Sequence, residues 1–493
     1  MSLVIPLSPR AGPGAPAGPL LARRGGGPLF RQIYSGLRQA ILEGTFRGGE
    51  RLPSTRDLAE QLRVSRTVVL MAYEQLLAEG FVQGRAGSGT YVPPGLSSVP
   101  REKPREAAKL HLSRFGMAAA AAAPSMDFPR WRAHPPRYDF SYRRTPVETF
   151  PFETWRRILM RIARKAPIKA LDYGPAGGSA ALREAISAHL RRARAVVCEP
   201  SQIVILNGSQ QALDLVARVL IERGDGVVIE DPQYQGAREV FRAAGARFYP
   251  LPVDGEGLNP DKLPQRARIA FVTPSHQLPT GTILPLSRRL ALLEWAKRAG
   301  AVLIEDDYDG EFHYESQPVE SMQGLDSEGR VIYLGTFSRT IFPALRIGYL
   351  VAPLSLVSAL TAAKWLADRH TATLEQETLA EFIATGAYER HLRRVRRANA
   401  ARRRALLESI GNYLGDRVSV TGDGSGTHVV LWPRKHIAEE VIIERAAALG
   451  VGVYGIAPYY FSRPLRPGLM LGYARMREVD IREGIRRLAE AIS

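Results

Sequence analysis

Hydrophobic positions change their period along this chain, and the changes mark out its parts. Leu29, Ile33, Leu37 and Ile41 recur every four residues, which predicts one stripe of an amphipathic helix, with Gly44 as its stop. Ser54, with Asp57 three residues on, reads as the N-cap of a second helix that turns Leu58 and Leu62 inward. After a tight Arg63-Val64 turn, Ser65 reads as the cap of a third helix, its inner face being Val68, Val69, Tyr73, Leu76 and Leu77. Gly80 ends that helix, and FVQGRAGSGTYV reads as two short strands around a Gly-rich tip. Three helices and a hairpin, the last two helices joined by a short turn, predict a winged helix-turn-helix over residues 28–93.

Residues 1–27, rich in Gly, Pro and Ala, read as a disordered lead-in. From 94 to 136 no apolar period persists, and this charged, Pro-rich stretch reads as a linker with transient helix at Ala118 to Ala123. Beyond it, over 137–493, short apolar runs alternate with amphipathic helices. The runs are Ile203 to Leu206, Val227 to Ile229, Ile269 to Val272, Val302 to Ile304 and Val331 to Leu334. This predicts an α/β domain with a mostly parallel sheet covered on both faces, and a smaller C-terminal α/β subdomain from about residue 390.

Composition sharpens the picture in a few places. A length of 493 residues fits two or three domains, and 45% hydrophobic residues sustain a core. The net charge of +18 is densest at the front: eleven basic against six acidic side chains in residues 1–93, and seven against three in 94–136. That distribution suits a nucleic-acid partner for the front domain. Cys198 is the single cysteine, so no intramolecular disulfide forms and a reducing compartment is expected. The opening lacks the pattern of an export signal and no apolar segment is long enough to span a bilayer, so the chain reads as cytoplasmic. No metal site is read.

Candidate chemistry gathers in two places. In the front domain Ser65, Arg66 and Thr67 at the start of the third helix would face the major groove of double-stranded DNA, Arg66 reading guanine edges or holding a phosphate. Arg56 is placed for backbone contact, and Arg85, Ser88 and Gly89 in the wing for an adjacent groove or phosphate. In the large domain, polar residues follow each strand: Ser209 and Gln210, Tyr234, His276 and Gln277, Asp306 and Tyr308, then Thr336, Ser338, Arg339 and Arg346. Strand ends of a doubly wound sheet converge, and hydroxyls, guanidiniums and a helix start make an anion cradle there. The arginine-rich run from Arg390 to Arg404 reads as a solvated helix face at the start of the C-terminal subdomain.

The run GGERLPSTRDLAEQLRVSRTVVLMAYEQLLAEGFVQGRAGSGTYV resembles the GntR-type winged-helix family. LDYGPAGGSAALREAISAHL, the strand-end motifs and YERHLRRVRRANAARRRALLESI resemble the fold-type I pyridoxal phosphate aminotransferases. Joined, the two resemble the MocR regulators. The resemblance implies that Ser209, Gln210, Thr336, Ser338 and Arg346 contact a cofactor phosphate. It also implies that Tyr234 stacks on the pyridine ring, that Asp306 pairs with the ring nitrogen, and that Tyr308 with Gln277 or His276 lies near the phenolic oxygen.

One position departs from that pattern. The family's GTFSK motif supplies the lysine that forms a Schiff base with the cofactor aldehyde, and this chain has GTFSR, with Arg339 there. A guanidinium stays protonated and offers no free amine. The carboxylate-binding arginine common near the end of aminotransferases has no plain counterpart, Met470 standing about where it is sought, with Arg463 and Arg466 as nearby candidates. Three outcomes follow for the pocket: noncovalent pyridoxal phosphate, a preformed amino acid adduct or other phosphorylated ligand, or an empty site that Arg339 fills by turning toward Asp306 or the hydroxyls. The leading expectation is a DNA-binding transcriptional regulator, a head-to-tail homodimer whose aminotransferase-like domain senses a small-molecule effector. The alternative is a pyridoxal phosphate-dependent aminotransferase with an appended DNA-binding domain.

Overall fold

The computed structural model describes residues 3–4, 20–21, 27–96, 111–126, 136–142, 145–165, 172–314, 320–435, 437–462, 464 and 466–493. The chain divides into two compact units, Met1–His111 and Leu112–Ser493. Most of the expected lead-in lies outside the described residues; within it, Leu3–Val4 pairs antiparallel with Leu20–Leu21.

The first unit holds helices Leu29–Leu42, Thr55–Leu62 and Arg66–Ala78, then the hairpin strands Gln83–Arg85 and Gly89–Tyr91. Ser54 caps the second helix, its Oγ accepting from the Asp57 N–H at 3.2 Å, and Arg63 ends it in a left-handed conformation. The core joins Ile33, Leu37, Ile41, Leu58, Leu62, Val69, Tyr73 and Leu76. Two expectations need correction. Ser65 precedes the third helix without a side-chain cap bond. Leu77 is 51% exposed and Val68 only half-buried, because the inner face is Val69, Ala72, Tyr73 and Leu76, which leaves those two at its edges.

The second unit opens with a departure from the expected linker. Arg114–Met126 is an α-helix, its Ala122 buried, packed against helix Gln235–Ala243. Ser113 Oγ accepts from the Gly116 N–H at 3.0 Å, and alanine has the highest intrinsic helix propensity, so a good start and a strong former coincide.

Its main sheet has eight strands, in spatial order Ile203–Leu206, Gly348–Val351, Val331–Thr336, Val302–Asp307, Ile269–Val272, Gly226–Asp231, Arg247–Asp254 and Gly257–Leu258. Gly348–Val351 and Gly257–Leu258 run antiparallel to their neighbours; the other pairings are parallel. Alternate residues feed opposite faces. Val204, Leu206, Ile304, Ile332 and Leu350 join one core, while Ile203, Ile205, Tyr333, Tyr349 and Val351 join another. Both faces being covered, the strands read in sequence as unbroken apolar runs.

Helix Ala387–Tyr413 leads into a four-stranded sheet of Val418–Thr421, His428–Pro433, Leu469–Gly472 and Tyr454–Gly455. The arginines of that long helix divide in role. Arg393, Arg394, Arg397 and Arg404 are exposed. Arg396 donates to the Glu311 carbonyl and Arg402 to the Ala474 carbonyl, both at 2.6 Å, and Arg403 lies over the Tyr314 ring. Among the described residues no helix is long and apolar enough to cross a membrane.

Candidate ligand pocket and nucleic-acid interface

A cavity of about 300 Å³ opens where the carboxyl ends of the parallel strands meet. Nine of the ten expected pocket residues line it: Ser209, Gln210, Tyr234, Asp306, Tyr308, Thr336, Ser338, Arg339 and Arg346. At one end Gly208 (φ +90°) turns strand Ile203–Leu206 into helix Ser209–Leu220, whose first N–H groups have no intrahelical acceptor. Arg346 takes a left-handed conformation and donates from Nη2 to the Asn207 carbonyl at 2.8 Å. A Cβ on Gly208 would stand 2.6 Å from that Nη2, so glycine is what lets the guanidinium close on the turn. With the Thr336 and Ser338 hydroxyls beside it, this end is built for an anion.

The middle of the cavity is set by Tyr234, Asp306 and Tyr308. Tyr234 donates to Gln210 Oε1 at 3.1 Å, and the Tyr308 hydroxyl meets His276 Nδ1 at 3.0 Å. Asp306 Oδ1 is buried with no hydrogen-bond partner. Burial, then repulsion from Asp307 and Asp309, pushes the Asp306 carboxyl up to about 7, with Arg339 opposing. Its neighbour Asp307 points to the other face, receiving Arg194 Nε at 2.7 Å and the Tyr333 hydroxyl at 2.6 Å. Burial would raise Asp307 too, yet Arg194 holds it below the ordinary carboxylate range.

Arg339 does not close the pocket on Asp306. Its Nη1 donates to the Tyr142 carbonyl at 2.6 Å and its guanidinium lies 5.1 Å from the centre of the Tyr142 ring. No lysine lines the cavity among the described residues; Lys364 is buried against Asp368 at 2.5 Å, and Asp368 also holds Asn207 and Gln211.

Gln277 is the expected residue that stays out. Its Nε2 donates to the Pro232 and Leu278 carbonyls at 2.7 and 2.9 Å, and its Oε1 accepts from Thr280 N and Oγ1 at 3.0 and 2.6 Å. Both ends of the amide are spent closing their own loop, and Leu278 faces the cavity instead. His276 is buried behind Tyr308, with Asp309 Oδ2 3.0 Å from its Nδ1. Tyr142, Thr273, Leu278 and Pro343 are lining residues that the sequence reading missed. Thr273 follows strand Ile269–Val272 as the polar residues follow the other strands, a signal that was available; Tyr142 lies far away in sequence and carried none. Of the two candidate carboxylate-binding arginines, Arg466 lies 4.1 Å over the Trp432 ring and Arg463 is outside the described residues. Met470 is fully buried in a cluster with Tyr142 and Leu278.

In the first unit, Arg56, Ser65, Arg66 and Thr67 are all exposed, and Arg66 Nε reaches Thr55 Oγ1 at 3.4 Å, which brings the starts of two helices together. In the wing, exposed Arg85 lies 4.6 Å over the Tyr91 ring, whose hydroxyl meets Ser88 Oγ at 2.6 Å. Gly89 (φ +120°) passes so close to Arg51 that a Cβ would stand 2.7 Å from its Nε. Arg51 adds an exposed cation at the base of the wing that the sequence reading did not single out.

Comparisons with known proteins agree with both halves. Residues 29–92 match the gntR family of bacterial regulatory proteins, and residues 145–488 match aminotransferase class I and II. The chain is 38% identical, over 94% of each chain, to the probable rhizopine catabolism regulatory protein MocR of Rhizobium meliloti. It is 33% identical to aromatic-amino-acid aminotransferase 1 of Thermococcus litoralis, over 70% of this chain and 85% of that one. Among solved structures it is similar to the α-aminoadipate aminotransferase LysN of Thermus thermophilus, complexed with N-(5'-phosphopyridoxyl)-L-leucine. There the TM-score is 0.67 and the identity 32%, over 72% of this chain and 92% of that one.

Proposed function

This chain belongs to aminotransferase class I and II, joined to a gntR-family domain as in MocR-type regulators, and from that premise we propose how its two halves work. It is a DNA-binding transcriptional regulator with an aminotransferase-like domain. That domain acts as sensor and dimerisation unit, with Arg339 standing where the enzymes carry their lysine. The observation that carries the reading is one chain with both an exposed helix-and-wing surface and a cavity whose walls, among the described residues, hold an anion cradle and no lysine.

Pyridoxal phosphate, the cofactor of this fold family, fits the residues present. The cradle of Ser209, Gln210, Thr336, Ser338 and Arg346 suits its phosphate, and the partnerless carboxylate of Asp306 suits a protonated ring nitrogen. When bound, the cofactor supplies an electron-withdrawing ring and an aldehyde. Tyr234 would flank the ring, and Tyr308, held by His276, would approach its phenolic oxygen. Arg339 offers no amine, so binding is noncovalent and reports ligand concentration instead of starting transamination.

Two experiments test this. Selection of genomic fragments by the full chain, followed by footprinting, should yield a protected site of two half-sites; recovery of no sequence above background would remove the regulator reading. Borohydride reduction in the presence of pyridoxal phosphate should leave no modified lysine in mass mapping, whereas Arg339→Lys should gain one at position 339. Similarity to the Thermococcus aminotransferase favours a second reading, an enzyme with a DNA-binding appendage. A cofactor-modified lysine in the unaltered protein would establish that reading in its place.

A further inference from the structure

We propose that Arg339 makes this cavity selective for phosphopyridoxyl compounds whose 4′ arm ends in a carboxylate. The inference rests on the reading of the cavity as a phosphopyridoxyl site. It names the ligand class more narrowly and gives Arg339 a positive task.

Among the described residues two cationic side chains line the cavity, Arg346 and Arg339. Arg346 belongs to the phosphate end, tied to the Asn207 carbonyl and seated against Gly208. Arg339 stands apart from it, over the Tyr142 ring and near Asp306 and Tyr308, whose burial-raised pKa values its charge pulls back down. Among the described residues it makes a single hydrogen bond, to the Tyr142 carbonyl. A guanidinium has five N–H donors, so most of this one's remain for a ligand. The site is half-buried, where a charge-assisted pair is stronger than in open water.

The three forms a 4′ substituent can take are then unequal. An ammonium arm meets a like charge. A neutral aldehyde oxygen accepts an ordinary hydrogen bond. A carboxylate accepts two parallel ones from the fork. The wall beside Arg339 points the same way, because Tyr142 and Leu278 pack with Met470, Val430 and Ile456 in one apolar cluster. That apolar wall also accommodates a hydrocarbon side chain next to the carboxylate. The chemistry shared by the candidate ligands is a pyridine 5′-phosphate with an anion on its 4′ arm, whether an amino acid conjugate or a 4-carboxylate made by oxidation of the aldehyde.

Calorimetric titration of the full chain tests this with four probes. They are N-(5′-phosphopyridoxyl)-L-leucine, the matching isopentylamine conjugate that lacks only the carboxylate, the 4-carboxylate, and pyridoxamine phosphate. The leucine conjugate should bind at least about ten-fold more tightly than the isopentylamine conjugate, with pyridoxamine phosphate weakest. In Arg339→Gln that ratio should fall toward one, while Arg346→Gln should weaken all four probes and preserve the ratio. The 4-carboxylate binding as tightly as the leucine conjugate would assign the oxidised vitamer as ligand source, and its binding more weakly would assign the conjugate. Equal binding of the two conjugates, or a ratio that survives in folded Arg339→Gln, overturns the proposal and leaves the cavity reading standing. No binding of any probe overturns both.

Discussion

Asp306 and Asp307 are adjacent on one strand and have opposite fates. Asp307 faces Arg194, so its charge is compensated; Asp306 faces the cavity with a bare oxygen. The folded-state value of Asp306, about 7, lies above the ordinary range near 3.9. Its contribution to stability is therefore complete below about pH 4 and is lost as pH rises through about 7, and Glu230 and Glu305, also raised to about 7 by burial, act in the same direction. Asp306→Asn in the ligand-free protein should flatten the loss of stability between about pH 4 and pH 7 by roughly 1–3 kcal/mol, read from urea melts. Parallel curves for the two proteins would show that Asp306 does not carry this charge cost. Asp307→Asn should instead cost about 3–5 kcal/mol at neutral pH, since it strands a buried guanidinium. That loss should shrink on acidification, because a group held low contributes stability that disappears as pH falls through its folded value. Sequence showed that two carboxylates stand here, and alternation along a strand separates them. It could not show where the Arg339 guanidinium goes, because a carbonyl and a ring from the segment at Tyr142 decide that.

Among the elements, the turn at Gly208 and the start of helix Arg66–Ala78 are where local geometry becomes function. Gly208→Ala would need a Cβ at positive φ and 2.6 Å from the Arg346 guanidinium. We expect it to cost about 1–3 kcal/mol in stability and to weaken every phosphopyridoxyl probe, since it displaces the cradle's own cation. Arg66→Ala should weaken specific DNA binding by about 1–3 kcal/mol if the side chain reads a base; mobility shifts with operator and unrelated DNA separate that from a uniform loss through a phosphate contact. Strands were the most legible elements, because burial on both faces writes them as apolar runs. The helix Arg114–Met126 was masked by its setting. Its alanines have the propensity, but the packing against helix Gln235–Ala243 distinguishes an ordered helix from a transient one, and that partner is more than a hundred residues away. Gln277 failed for the complementary reason: a polar residue beside a site was taken for the site, while loop closure consumed both ends of its amide.

At the scale of the whole molecule, one helix does not match its surroundings. Leu354–Asp368 is apolar on every side, the pattern of a helix covered all round, yet among the described residues only one face is packed. Leu360 is buried, Leu356 and Val357 pack beside it, and Leu354, Trp365 and Leu366 are exposed, Leu366 at 78%. Arg369 stacks over both Trp365 and Tyr173 at the end of this surface. Aminotransferase-like folds often dimerise, and a second copy is the covering this pattern calls for. Leu366→Glu should then shift the protein from dimer to monomer in sedimentation velocity without lowering its melting temperature as a core substitution would. Its effect on DNA follows from valency. Two winged helices on one dimer bind paired half-sites with the second contact effectively intramolecular, worth on the order of 10²-fold or more, whereas a lone half-site gains nothing from the partner. The variant should therefore lose affinity for the paired site by about that factor and bind a single half-site as the parent does. A Leu366→Glu protein that still sediments as a dimer would move the interface elsewhere on the second unit.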